Sequence, residues 1–302
     1  TLMSCRRQRQ MCIRDRSWGV GDFSGGIATR LSNNFMAVFL AQGVGLVVAS
    51  VLLLLSGEAT PPTEALAWGA AAGAAGAFGL GSFYLALSRG TMGLVAPAAA
   101  LLAAAWPAAF ALLTGDSVST LALVGMAVAL AAIVLISLPD RRLGTPVIPT
   151  YHGSRRQEWL LILGAALGFG GFFLFVDASH EAGGAVWWPL FMVKLAGVVS
   201  VVAAAAVLSP LGRFPGLRLG LAALLVGCVA GVGDLGGNLF FVLASDEGEL
   251  PVVIVLTSLY PVVTAILARA FLHERLSPLR LLGVALAIAG VVLIGLPADL
   301  LS

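Results

Sequence analysis

Charge is what this sequence has least of. Of 302 residues, 11 % are charged against 59 % hydrophobic, and the mean hydropathy is +1.01. Soluble domains carry about 25 % charge, so this chain cannot cover a water-exposed surface, and the lipid bilayer is its expected solvent. A net charge of +2 and the lack of any basic stripe argue against nucleic acid as a partner. Three cysteines make no disulfide framework, and Cys228, in an apolar run, reads as a small buried hydrophobe. His152, His180 and His273 lie in or beside turns, too far apart for a metal site. There is no His-Glu-x-x-His, no Gly-x-Ser-x-Gly and no P-loop. We therefore expect neither an enzyme nor a bound metal or cofactor.

What is present is a series of apolar runs. A bilayer core needs about 20 apolar residues in a helix. Ten segments meet or approach that length: 17–30, 35–55, 64–87, 92–114, 118–138, 159–178, 185–208, 219–244, 250–272 and 278–297. None alternates with period two, which excludes a β-barrel, and only a helix satisfies its own backbone in lipid. The expected fold class is an all-α integral membrane protein of about ten transmembrane helices. Residues 1–16 are different, with five arginines and no apolar run. They are no signal peptide, and we read them as a non-native segment standing in place of the true start of a truncated first helix.

The spans divide at a polar stretch, 139–158, into halves covering 17–138 and 159–298. The halves echo each other. Gly125–Pro139 (GMAVALAAIVLISLP) resembles Gly283–Pro297 (GVALAIAGVVLIGLP), and Ala105-Trp106-Pro107 corresponds to Leu259-Tyr260-Pro261. Five helices per half is an odd number, so two copies joined by one aqueous loop lie inverted in the membrane. Inverted repeats place a binding site near the midplane and permit alternating access. The expected architecture is two inverted five-helix repeats around a central cavity.

Ionisable residues inside spans are costly and are functional suspects. Asp22 lies in Gly19-Val-Gly-Asp22-Phe-Ser-Gly25, and Asp234 in Gly231-Val-Gly-Asp234-Leu-Gly-Gly237. Such a pair can bind a cationic group or relay a proton, or each can tie its helix to a neighbour. Asn238, one turn beyond Asp234, shares its face and is either a substrate contact or interhelix glue. Lys194 sits mid-span, where it can pair with one of the aspartates, hold a substrate carboxylate or snorkel to an interface. Pro107 and Pro261 interrupt spans and read as hinges, since proline removes a helix hydrogen bond. Trp106, Tyr260 and Tyr84 are candidate cavity walls.

Leu256–Ile294, with its Leu-Tyr-Pro kink, His-Glu-Arg-Leu-Ser turn and final Gly-x-Ala-x-x-x-x-Gly helix, resembles the C-terminal signature of EamA-type members of the drug/metabolite transporter superfamily. Trp18-Gly19 followed by Phe23 is similar to the middle of that family's first helix. Thr114-Gly115-Asp116 departs from the Gly-Glu-Arg-like turn usual there. The resemblance implies a secondary transporter that moves a small metabolite, an amino acid or related compound, usually outward across a bacterial plasma membrane. Protons are a candidate coupling ion, and a homodimer stays open. The alternative is a non-transporting sensor or scaffold. Arginines cluster on alternate connections, which by the positive-inside rule puts both termini outside; the family resemblance implies both termini inside.

Overall fold

In a computed structural model the chain folds entirely into helices over the described residues, which are 2–90, 92, 95–103, 106, 120–137, 155–212, 214–216, 219–245, 260–272 and 278–294, with backbone alone for 2–16. The helices are α1 (Leu2–Leu31), α2 (Asn34–Ser56), α3 (Thr63–Arg89), α4 (95–103), α5 (Thr120–Ser137), α6 (Arg155–Glu181), α7 (Trp187–Leu208), α8 (Leu221–Ser245), α9 (Tyr260–Leu272) and α10 (Pro278–Ile294). By length and composition, five stretches are fit to cross a bilayer: Asn34–Ser56, Thr63–Arg89, Arg156–Glu181, Trp187–Leu208 and Leu221–Leu243. Together with the family match reported below, they make the chain a multi-pass membrane protein. The first helix differs from expectation. Instead of starting near residue 17 it runs unbroken from Leu2, because arginine and glutamine are good helix formers and nothing between 2 and 17 breaks a helix.

Helix ends follow local chemistry. Asn33 caps α2, its Oδ1 accepting from the Met36 amide at 3.0 Å, and Gly57 closes α2 in the left-handed region at φ 64°. Arg30 donates to the carbonyls of Leu87, Ser88 and Gly90 and so caps the end of α3 from the end of α1. Glu58 does the reverse for α7. Its carboxylate accepts from the amides of Val186, Trp187 and Trp188 at 3.0–3.2 Å, while its carbonyl accepts from Trp188 Nε1. Trp187 and Trp188 are thus fixed at this helix start.

The principal helix pairings cross between the halves: α1 with α8, α3 with α6, α2 with α7 and α8, α3 with α7, and α5 with α10. Replacing each helix by the one five places along leaves this set unchanged. Contact register gives the directions. Gly69 faces Met192 and Gly73 faces Ala196, so α3 and α7 are parallel; Gly227 faces Leu40 and Gly231 faces Val44, so α2 and α8 are parallel. Gly25 lies against Tyr84 and Gly26 against Leu87, making α1 parallel to α3. Gly79 faces Phe169 and Gly76 faces Phe172, which makes α3 and α6 antiparallel. Gln42 faces Gly197 while Lys194 faces Gly45, so α2 and α7 are antiparallel too. It follows that α1 opposes α6, α2 opposes α7 and α3 opposes α8. Corresponding helices of the two halves run in opposite directions, as the odd span number demands.

Glycine sets how close these helices come. Gly21 of α1 meets the backbone of Gly233 and Asp234, and Gly79 of α3 meets that of Gly168 and Phe169. Between membrane helices there is no hydrophobic drive, so packing has to come from such close approach. Around the crossings an apolar core forms from Phe83, Leu87, Met92, Val95, Ile162 and Phe241, all nearly fully buried.

Candidate functional site

The two glycine-flanked aspartate heptapeptides meet. They lie on α1 and α8, which are packing partners rather than corresponding helices of the repeat. A β-carbon added at Gly21 would stand 3.1 Å from the Asp234 amide nitrogen; one at Gly233 would stand 2.7 Å from Gly21 Cα. The glycines let the two backbones touch, and the touching backbones bring the Asp22 and Asp234 carboxylates near enough to repel one another.

Lys194 answers that repulsion. From α7 its stem passes over Gly45 of α2, and Nζ donates to Asp234 Oδ2 at 2.5 Å. The lysine is fully buried, which excludes snorkelling, and Asp234 is 13 % exposed. Of the roles open from sequence, Lys194 therefore holds an aspartate in this state. Asp22, 7 % exposed, has no such partner: among the described residues its carboxylate makes no hydrogen bond or ion pair. Tyr84 of α3 is fully buried with its ring on Gly25, one turn from Asp22, and is near enough to both carboxylates to interact electrostatically. Its hydroxyl has no hydrogen-bond partner among the described residues.

Asn238 turns out to tie helices together. Its Oδ1 accepts from Trp18 Nε1 at 3.1 Å, and the Trp18 indole lies on Gly237. Phe173 and Phe241 pack on Trp18 with ring centroids 6.2 and 6.3 Å away and form an apolar wall. The half-buried Trp106 packs at a different contact, on Gly170 of α6. Tyr260 and Pro261 open α9 with side chains outside the described residues, and Pro107 lies outside them altogether. Cys228 is half-buried rather than buried.

Sequence reading missed Gln42. It is 3 % exposed, and its Oε1 has no partner among the described residues. The signal was there: Phe39-Leu-Ala-Gln42-Gly-Val-Gly45 and Phe191-Met-Val-Lys194-Leu-Ala-Gly197 share spacing, so Gln42 corresponds to Lys194. Likewise Phe83-Tyr84-Leu-Ala-Leu-Ser88 matches Phe240-Phe241-Val-Leu-Ala-Ser245, which sets Ala77 against Asp234 and Gly81 against Asn238. One half is charged where the other is neutral and small. A cavity of about 330 Å³ occupies the neutral position, lined by residues that include Asn34, Val38, Ala77, Gly81, Ser82 and Ser200. Asp22, Tyr84, Lys194, Asp234 and Asn238 do not line it.

Comparison with known proteins gives the family. Residues 156–296, in the second half of the chain, match the EamA-like transporter family, which supports a membrane transporter of the drug/metabolite transporter superfamily. A solved crystal structure shares the fold, with TM-score 0.63 and 18 % identity over 97 % of each chain. That likeness carries the fold, though no function, across the first half too. No curated protein matches the chain.

Proposed function

We propose that the protein is a secondary transporter that moves a small metabolite, an amino acid or related compound, outward across a bacterial plasma membrane. Its working parts are two inverted repeats, 17–138 and 159–298, joined by the linker 139–158. The two exchange access to a shared site, with proton coupling or solute exchange as the energy source. One observation carries the reading. Lys194, Asp234 and Asp22 come together, largely buried, where helices of both halves meet, and among the described residues Asp22 has no counter-charge. Each ionisable group costs about 2.5–3.5 kcal/mol at a helix centre on insertion scales. A scaffold packs as well with leucine there, whereas a carrier needs groups that trade partners. Tyr84 walls the site from α3; Tyr260 and Trp106 keep their candidate roles as cavity walls, and Pro107 and Pro261 as hinges.

The test is flux of a metabolite panel in proteoliposomes. Wild type should exchange at least one solute, and Asp234→Asn should abolish that exchange with the fold kept, as judged by thermal unfolding in detergent. Unchanged flux in Asp234→Asn removes the ion pair from the mechanism.

A further inference from the structure

The charged groups at this helix crossing constrain what enters it. Among the described residues two carboxyl groups share one ammonium, and Asp22 is the one without an ion partner, because Lys194 is held by Asp234. A carboxylate in a membrane interior is kept when something positive visits it. Beside Asp22 stands Tyr84, also deeply buried, with an oxygen that accepts no hydrogen bond among the described residues and a ring face turned to Gly25. An ammonium group suits both: a charge-assisted bond to the carboxylate and a second bond to the phenol oxygen. A zwitterion does not suit them. Its carboxylate would enter a site that already holds two, and the lysine that could receive it is engaged. Arg30, two turns beyond Asp22 on α1, is committed to the end of α3.

We infer that Asp22 and Tyr84 form a seat for a protonated amine, so that the solute is a monovalent organic amine without a free carboxylate rather than the corresponding amino acid. This rests on the transporter reading and narrows it. The amine gives Asp22 an ion partner and leaves the Lys194–Asp234 pair intact. Loss of the carboxylate group from the ligand is what distinguishes the two classes, so matched pairs serve as probes.

Equilibrium binding and flux are measured on the purified full chain in liposomes with 2-phenylethylamine against phenylalanine and isoamylamine against leucine. The expected result is amine binding at least about tenfold tighter than that of its amino acid, roughly the worth of one charge-assisted contact. Asp22→Asn should abolish amine binding, and Tyr84→Phe, which removes only the hydroxyl, should weaken it by about threefold to tenfold. Tyr84→Phe also keeps the test open if Asp22→Asn fails to fold. Tighter binding of the amino acids, or amine binding unaffected by both substitutions, overturns the seat. So does binding of neither class, which would leave Asp22 to a proton alone. Flux of the amino acids alone overturns the seat and spares the carrier; amine binding at the seat without flux of any solute keeps the seat and overturns the carrier.

Discussion

Gln42 and Lys194 make one crossing from opposite sides. The glutamine amide of α2 lies on Gly197 of α7, and the lysine stem of α7 lies on Gly45 of α2, each side chain one turn from the glycine that receives its counterpart. The two positions correspond in the repeat, yet only Lys194 has a polar partner among the described residues. Their substitutions should therefore differ in effect. Lys194→Met leaves Asp234 buried and unpaired, at a cost of about 3–5 kcal/mol. Gln42→Leu removes an oxygen that is already unpaired, so stability should hold or rise by about 1 kcal/mol. Unfolding of both variants in detergent checks this, and equal losses would refute the asymmetry.

The α1–α8 crossing depends on glycine for space. A β-carbon at Gly233 would come within 2.6 Å of the Ser17 carbonyl oxygen and 2.7 Å of Gly21 Cα, both backbone atoms that cannot rotate aside. Gly233→Ala should destabilise by about 1–3 kcal/mol, as overpacking does, and should loosen the approach of the two aspartates. Gly43→Ala is the control. Nothing lies within 4 Å of its added carbon, and alanine is the better helix former. A thermal shift in the first variant and none in the second is the expected pattern.

Glu58 joins the α2–α3 connection to the start of α7 by receiving three backbone amides. Those amides have no acceptor inside their own helix. Glu58→Ala should cost about 1–2 kcal/mol, the range for a lost cap with a helix-dipole contribution. Glu58→Gln keeps an acceptor but loses the charge and should cost less. Hydrogen exchange at Trp187 and Trp188 should rise in step, which a general loss of packing would not confine to this turn.

Much of this was readable in the sequence, since lipid makes spanning helices long and apolar. The runs 35–55 and 64–87 become Asn34–Ser56 and Thr63–Arg89, with Asn33, Gly57 and Gly90 marking the limits. Asp22, Asp234 and Lys194 stood out because charge is rare in such runs. Three things did not. That the two aspartate heptapeptides pack on each other was one, because nothing in a linear pattern separates a packing match from a repeat. Gln42 carries no charge and so raised no alarm. Glu58 is an acid on a polar connection with no local mark of its role, because the amides it caps lie over a hundred residues away.

Orientation is the point on which charge and family resemblance disagree, and the fold makes it decidable. Corresponding helices oppose one another, so Gly57, after α2, and Gly216, between α7 and α8, lie at opposite ends of the antiparallel α2–α7 pair. Both have positive φ and neither has an atom within 4 Å of an added β-carbon, so a cysteine there would be reachable by reagent. The connection holding Gly216 also carries Arg213 and Arg218, whereas that holding Gly57 carries Glu58 and Glu64. The positive-inside rule thus puts Gly216 in the cytoplasm. In intact cells, with native cysteines replaced by serine, a membrane-impermeant maleimide should label Gly57→Cys and not Gly216→Cys. Disrupting the membrane should make both reactive. The opposite pattern would place both termini inside, as the family resemblance implies; labelling of both positions in intact cells would contradict the opposed directions of α2 and α7.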